Sequence, residues 1–281
     1  MSTAAVAAAP SSVTGAAVPL DHLSFSSLRT FSLCPRKFSY RYIEHAPEEC
    51  VPSSLAFGGS FHKAAEFLHQ ARLEAAPTPT IEVLLDVYDQ GWRETTAKAP
   101  EVQYGKSEDA ASLRELAGRM LSVYRQHVSD TADQTTGSQI IAIEHAHRFR
   151  LLADVPPIEM RVDLLELCGD GELRVTDIKT SRSKYSEQKI SESLPQLVLY
   201  AHGLMPILRE LGAKKIVPSF QVITKAKKPI VQTLEPQATQ ADAERLKQMV
   251  GDTWRAIQSG LDMPRESWAC ASCPYRRRCG R

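Results

Sequence analysis

From Ser24 onward the apolar residues Leu28, Phe31, Phe38 and Tyr42 recur at helical spacing towards Ile43. This predicts a helix with Ser24 or Ser26 as its N-cap, kinked or divided by Pro35. Phe61, Ala64, Ala65 and Leu68 predict a second helix that begins after Gly58-Gly59-Ser60. Two further helices are expected near residues 81–97 and 108–128, so the stretch 60–130 reads as a helical subdomain. After Gly137 the apolar period changes. Ile140-Ile141-Ala142-Ile143, then the alternation His145, His147, Phe149, Leu151, predicts a strand. Residues 158–167, the turn Gly169-Asp170-Gly171 and residues 173–179 predict a β-hairpin. A helix over 191–211, strands over 215–224 and 229–234, and a helix over 239–257 complete the pattern. The expected class is α/β, a mixed sheet flanked by helices, with a helical insertion and a C-terminal cysteine-rich segment.

Residues 1–22 are expected to be a disordered tail, with an Ala-rich helix as the alternative for Met1 to Pro19. Residues 23–281 are expected to form a single domain, with the helical subdomain at 60–130, the sheet core at 138–235 and the cysteine-rich segment at 265–281. The first residues carry no Lys or Arg, so a secretory signal is not expected. No apolar run reaches the roughly 18–20 residues of a membrane span. Net charge is +1, from 34 basic and 33 acidic residues, which neither demands nor excludes a nucleic-acid partner. Locally, Arg29, Arg36, Lys37 and Arg41 cluster near one end and Arg276, Arg277, Arg278 and Arg281 near the other. Each cluster reads equally well as a solvated face. Six cysteines without a signal sequence argue against a secreted disulfide framework and for the cytoplasm. Cys270, Cys273 and Cys279 form a C-x2-C-x5-C run whose spacing suits a metal.

The hairpin carries the candidate chemistry. Folding it about Asp170 places Asp163 opposite Asp177, and Lys179 shares the Asp177 face because side chains alternate along a strand. A salt bridge across the hairpin is the plain reading of these three residues. The chemical reading is a divalent cation, Mg2+ or Mn2+, that relieves the repulsion between two carboxylates. Lys179 would then orient or deprotonate a water and offset charge on a phosphate. Four residues point the same way. His62 could add a metal ligand and Glu66 follows one turn later; Gln196 and Tyr200 are four apart, so both can face the site. The carbonyl of Ile178 is available as a further ligand. His45, His69, His145, His147 and His202 read as structural. No P-loop is present.

Taken together these residues resemble the RecB-like nuclease family of the PD-(D/E)XK superfamily. The resemblance rests on five blocks in order: Ser24 to Phe38 around Cys34; Gly58 to His62; Asp163 with Asp177-Ile178-Lys179-Thr180; Gln196 to Tyr200; and Cys270, Cys273, Cys279. It implies a restriction-endonuclease-like fold and Mg2+- or Mn2+-dependent cleavage of single-stranded DNA or DNA ends, in repair, recombination or defence. Metal ligands would be His62, Asp163, Asp177 and Ile178, with Lys179, Gln196 and Tyr200 as catalytic support. It further implies a 4Fe-4S cluster on Cys34, Cys270, Cys273 and Cys279. Four thiolates also satisfy tetrahedral zinc, which stays as the alternative. Cys50 and Cys168 are left over as structural. Arg36, Lys37, Arg161, Arg276 and Arg277 are candidate DNA contacts. Two positions depart from the family's pattern: Arg161 replaces a usual glycine, and Asp177 stands where many members have Glu. A CRISPR-associated nuclease that trims DNA during spacer acquisition, with protein partners in a repair or adaptation complex, fits the same motifs. A non-catalytic iron-sulfur DNA-binding scaffold and an iron-sulfur redox or sensing protein are the rivals from other classes.

Overall fold

The computed structural model describes residues 20–134 and 137–280, so all but the last three positions of the expected tail at 1–22 lie outside the described residues. Strand β1 (Leu23–Ser24) runs straight into helix α1 (Phe25–Leu33). The Ser24 hydroxyl accepts from the Ser27 N–H and the Ser27 hydroxyl accepts from the Ser24 N–H, a reciprocal cap that starts the helix. Pro35 divides the segment as expected: α2 (Pro35–Phe38) restarts there, and Ser39–Ile43 continues as one wide π-helical turn.

After the short strand β2 (Val51–Pro52), helix α3 spans Ser53–Leu73 and so holds Gly58 and Gly59 in its interior rather than before its start. Two interior glycines cost about 2 kcal/mol of helix propensity. Complete burial of Phe57 and Phe61 alone contributes about 3–6 kcal/mol, so packing overrides the local signal. Helix α4 (Ile81–Thr96), the strand β3 (Val102–Gln103) paired with β2, and helix α5 (Ala110–Gln134) complete the helical layer. Leu84, Tyr88, Met120 and Tyr124 fill its core against Ile178 and Ile223 of the sheet.

The sheet has six strands. β4 (Gln139–Phe149) and β6 (Glu172–Ser181) pair antiparallel with β5 (Ile158–Leu167), and β1 pairs parallel with it. β7 (Lys215–Thr224) lies parallel to β6, and β8 (Val231–Leu234) is antiparallel to β7 at the edge. The parallel pair requires a crossover, supplied by α6 (Glu187–Gly203) and α7 (Met205–Glu210). The single helix expected over 191–211 breaks at Leu204, where Pro206 at the start of α7 cannot donate a backbone hydrogen bond. α6 and α7 pack on the opposite face of the sheet, over Val162, Val175 and Phe220. Helix α8 (Gln240–Gln258), capped by Thr239, closes a third core with α1 and α6. The chain is thus α/β, a mixed sheet between helical layers. No helix among the described residues is long and apolar enough to cross a membrane.

Candidate active site

The observed β5–β6 register, from Leu164↔Thr176 to Leu167↔Leu173, is the one that sets 163 opposite 177. The ladder stops at Leu164↔Thr176, and the strands part where the two aspartates begin. Met160, Val162 and then Leu165 all enter the same core, so the alternation of β5 slips by one residue at Asp163–Leu164. That slip sends Asp163 away from the α6 face. Its Oδ2 accepts from the Ile178 N–H at 2.6 Å and lies 3.5 Å from Nδ1 of His62 on α3. Asp177 keeps to the α6 side and is 1% exposed. The Lys179 ammonium lies 2.8 Å from its Oδ2, and Gln196 Nε2 donates to its Oδ1 at 3.0 Å. The Tyr200 hydroxyl stands 3.5 Å from the same Oδ1 and 2.6 Å from Gln196 Nε2, so the four-residue spacing on α6 brings both side chains to Asp177.

One residue of the site escaped the sequence reading. Glu144 on β4 lies between the pairs Ile143↔Leu164 and His145↔Val162, which places it across from Asp163. Its φ is 49°, a left-handed conformation that costs a non-glycine residue about 1–2 kcal/mol. Ligand atoms of His62, Glu144 and Asp163 lie within 4.8 Å of one another. The only sequence signal was a lone carboxylate inside an otherwise apolar strand run. Arg161, the residue at the family's glycine position, points its guanidinium to 3.7 Å from Glu144. Glu66 is exposed, and its charge also bears on Glu144.

The electrostatics follow from this crowding. Burial foremost, then the charge of Asp163, pushes the Glu144 carboxyl up to about 7. Burial likewise raises Asp177 to about 6 despite the opposing pull of Lys179. Burial acts to raise Asp163 too, but His62 and Lys179 hold it below the usual carboxylate range. Burial would lower His62 and Lys179, and the neighbouring aspartates raise both instead. Two reluctant carboxylates beside a third and an imidazole form the donor set that a hard divalent cation stabilises, with oxygen in the majority. His62, Glu144 and Asp163 come from three different elements and could hold such an ion. Asp177 stands beside them, engaged by Lys179 and Gln196.

Residues 32–37, at the end of α1 and the start of α2, meet residues 262–279. Arg36 pairs with Asp262 at 2.5 Å, and Arg265 donates to the Ser32 carbonyl at 2.9 Å. Between them Cys34, Cys270, Cys273 and Cys279 line one cavity, together with Lys37 and Arg276. All six cysteines are free thiols. Burial foremost raises the Cys273 and Cys279 thiols, and neighbouring cysteines of the same cavity add to the effect. Cys50 and Cys168 lie outside that lining, and Cys168 is buried. Arg277 faces Glu101 at 3.5 Å.

The fold is similar to that of a protein from Eubacterium rectale named "Putative exonuclease", at 12% identity, 92% coverage of this chain, 88% of the other and a TM-score of 0.52. A protein named SSO0001 aligns over 89% of this chain and 95% of its own at 14% identity, with a TM-score of 0.34. No curated protein matches the chain. The family model described as the PD-(D/E)XK nuclease superfamily matches residues 22–280, and the chain belongs to that superfamily.

Proposed function

We propose that this nuclease is a Mg2+- or Mn2+-dependent deoxyribonuclease of the RecB-like type, acting as an exonuclease on single-stranded DNA or DNA ends in the cytoplasm. The observation that carries the reading is the convergence of His62, Glu144 and Asp163 beside the Asp177–Lys179 pair. His62, Glu144 and Asp163 would hold the cation, with Asp177 and Ile178 as neighbours able to complete its shell. The ion would supply Lewis-acid polarisation of the scissile phosphate. The chain's own residues do the rest. Lys179 orients the attacking water and offsets the charge that develops on the phosphate. Gln196 fixes the Asp177 carboxylate by a hydrogen bond, and Asp177 in turn fixes the Lys179 ammonium 2.8 Å away. The Tyr200 hydroxyl, 2.6 Å from Gln196 Nε2, donates to the same oxygen from beside it.

A 4Fe-4S cluster on Cys34, Cys270, Cys273 and Cys279 is part of the proposal. Its support is the single cavity that all four thiols line, although Cys34 is more than 200 residues from the other three in the chain. A cubane accepts four cysteine thiolates; zinc accepts them as well, so metal content decides between them.

The test uses anaerobically purified protein, a visible spectrum with iron and zinc assays, and end-labelled single- and double-stranded DNA with Mn2+, Mg2+ or EDTA. Wild type should cleave only with the divalent ion. Asp177→Ala and Lys179→Ala should abolish cleavage while DNA binding survives. Cleavage by either variant, or in EDTA, refutes the assignment, and a colourless zinc-loaded protein refutes the cluster.

A further inference from the structure

Many cations among the described residues already have a carboxylate. Arg36, Arg72, Arg114, Arg148 and Arg174 are each paired. Two adjoining loops concentrate cations that are not. The segment after β6 carries Arg182 and Lys184, and the segment after β7 carries Lys225, Lys227 and Lys228. None of these five forms an ion pair among the described residues. The loops leave neighbouring strands: the Lys225 N–H donates to the carbonyl of Ser181, the last residue of β6, at 2.6 Å, and the Tyr185 N–H to Oε1 of Gln232 on β8 at 2.8 Å. They leave the sheet at the end of the catalytic strand, three residues beyond Lys179.

Arg182 and Lys225 line a cavity of about 730 Å³, which also holds the Glu108 carboxylate, bonded to the Ser53 hydroxyl and the Gly105 N–H. Tyr104 and Trp268 line the same cavity, and Trp268 is 81% exposed. An indole left so open forfeits most of its burial energy, whereas the protein's Trp254 is 6% exposed. The floor is rigid. Lys225 Nζ sits 4.2 Å from the Phe57 ring centroid, and Tyr88, Trp92 and Tyr104 stack in succession beside it. Helix α3 links this cavity to the catalytic centre, because Ser53 lines the cavity and His62 faces Asp163. Nine residues at 1.5 Å rise separate them by about 13 Å, about four nucleotides at the 3.4 Å stacked spacing.

We propose that this groove receives single-stranded nucleic acid leading to the cleavage site, with a base stacked on Trp268 and the phosphates met by the unpaired cations of the two loops. The inference rests on the nuclease reading of the same site and assigns the strand its path. Aromatic faces bind unpaired bases whatever their sequence, and a positive rim follows the backbone. A base inside a duplex has no free face to offer, so the groove selects single strands.

The test measures binding in EDTA, where cleavage cannot interfere. A 15-nucleotide oligo(dT) should quench the fluorescence of the wild type. Trp268→Ala should weaken binding about five- to 150-fold, the range for one lost base–aromatic stack, and Trp268→Phe should retain most of it. The Lys225→Gln, Lys228→Gln double variant should lower the slope of log affinity against log salt by about 1.4, from two lost single-strand phosphate contacts. Wild-type affinity in Trp268→Ala, or an unchanged salt slope in the double variant, overturns the groove while leaving the nuclease reading intact. Equal losses on a blunt duplex overturn the stacking. A wild type that neither binds the oligonucleotide nor cleaves it with Mn2+ overturns both.

Discussion

His62 and His69 lie two turns apart on α3, yet their surroundings drive them in opposite directions. The Asp163 carboxylate raises His62. Burial foremost, then the Arg72 guanidinium, lowers His69 to about 3. The hydrogen bonds explain why. The Tyr124 hydroxyl donates to Gln221 Oε1 at 2.9 Å, so His69 Nε2 must donate to the Tyr124 oxygen 2.8 Å away. Arg72 Nη1 donates to His69 Nδ1 at 3.1 Å, which leaves no room for a second proton. A histidine held neutral in the folded state contributes full stability above its unfolded value of 6.5 and loses it progressively as pH falls towards 3. By pH 5 the loss is about 2 kcal/mol, at 1.36 kcal/mol per unit below the unfolded value. His69→Gln keeps one donor and one acceptor but cannot be protonated. Urea unfolding of both proteins in EDTA at pH 8 and pH 5 isolates this residue, since every other titrating group cancels in the difference. Whatever the variant costs at pH 8, the gap should shift in its favour by about 2 kcal/mol at pH 5. A gap independent of pH would refute the neutral, sealed histidine.

Glu144→Gln should weaken Mn2+ binding in calorimetric titration at least as much as losing an outer-shell partner does, about 10–100-fold; an unchanged affinity removes Glu144 from the ligand set. Gln196→Leu should lower kcat about 10–100-fold, and Tyr200→Phe should lower it less, because their contacts to Asp177 Oδ1 are 3.0 and 3.5 Å. Equal effects of the two variants contradict that order. Cys34→Ser should lose bound iron and lower Tm, while Cys50→Ser, outside the four-thiol cavity, should retain the metal. Iron retained by the first variant disproves the shared site.

The juxtapositions that sequence spacing can reach are those set by regular periods. The meeting of Asp163, Asp177 and Lys179 follows from a tight turn centred on Asp170 and strand alternation, and that of Gln196 with Tyr200 from one turn of helix. The Ser24 cap and the break at Pro35 were legible for the same reason, since each acts on its immediate neighbours. What stayed hidden came from departures from those periods. The slip at Asp163–Leu164 and the left-handed Glu144 opposite it turn two carboxylates towards His62, and neither residue type announces such a conformation. The start of α3 was misplaced because two glycines spoke for a boundary while Phe57 and Phe61, distant from their partners in sequence, decided otherwise.

The cations show the same division most plainly. Runs such as Arg36-Lys37 and Arg276-Arg277 stand out in the sequence, yet Arg36 and Arg277 face Asp262 and Glu101, more than 170 residues away in the chain. A run of like charge reports local density, whereas a charge free to meet a phosphate is one that tertiary structure has left unpaired. By that criterion the loops after β6 and β7, whose five cations draw no notice in the sequence, offer the phosphate-facing surface. It adjoins the strand that carries Asp177 and Lys179.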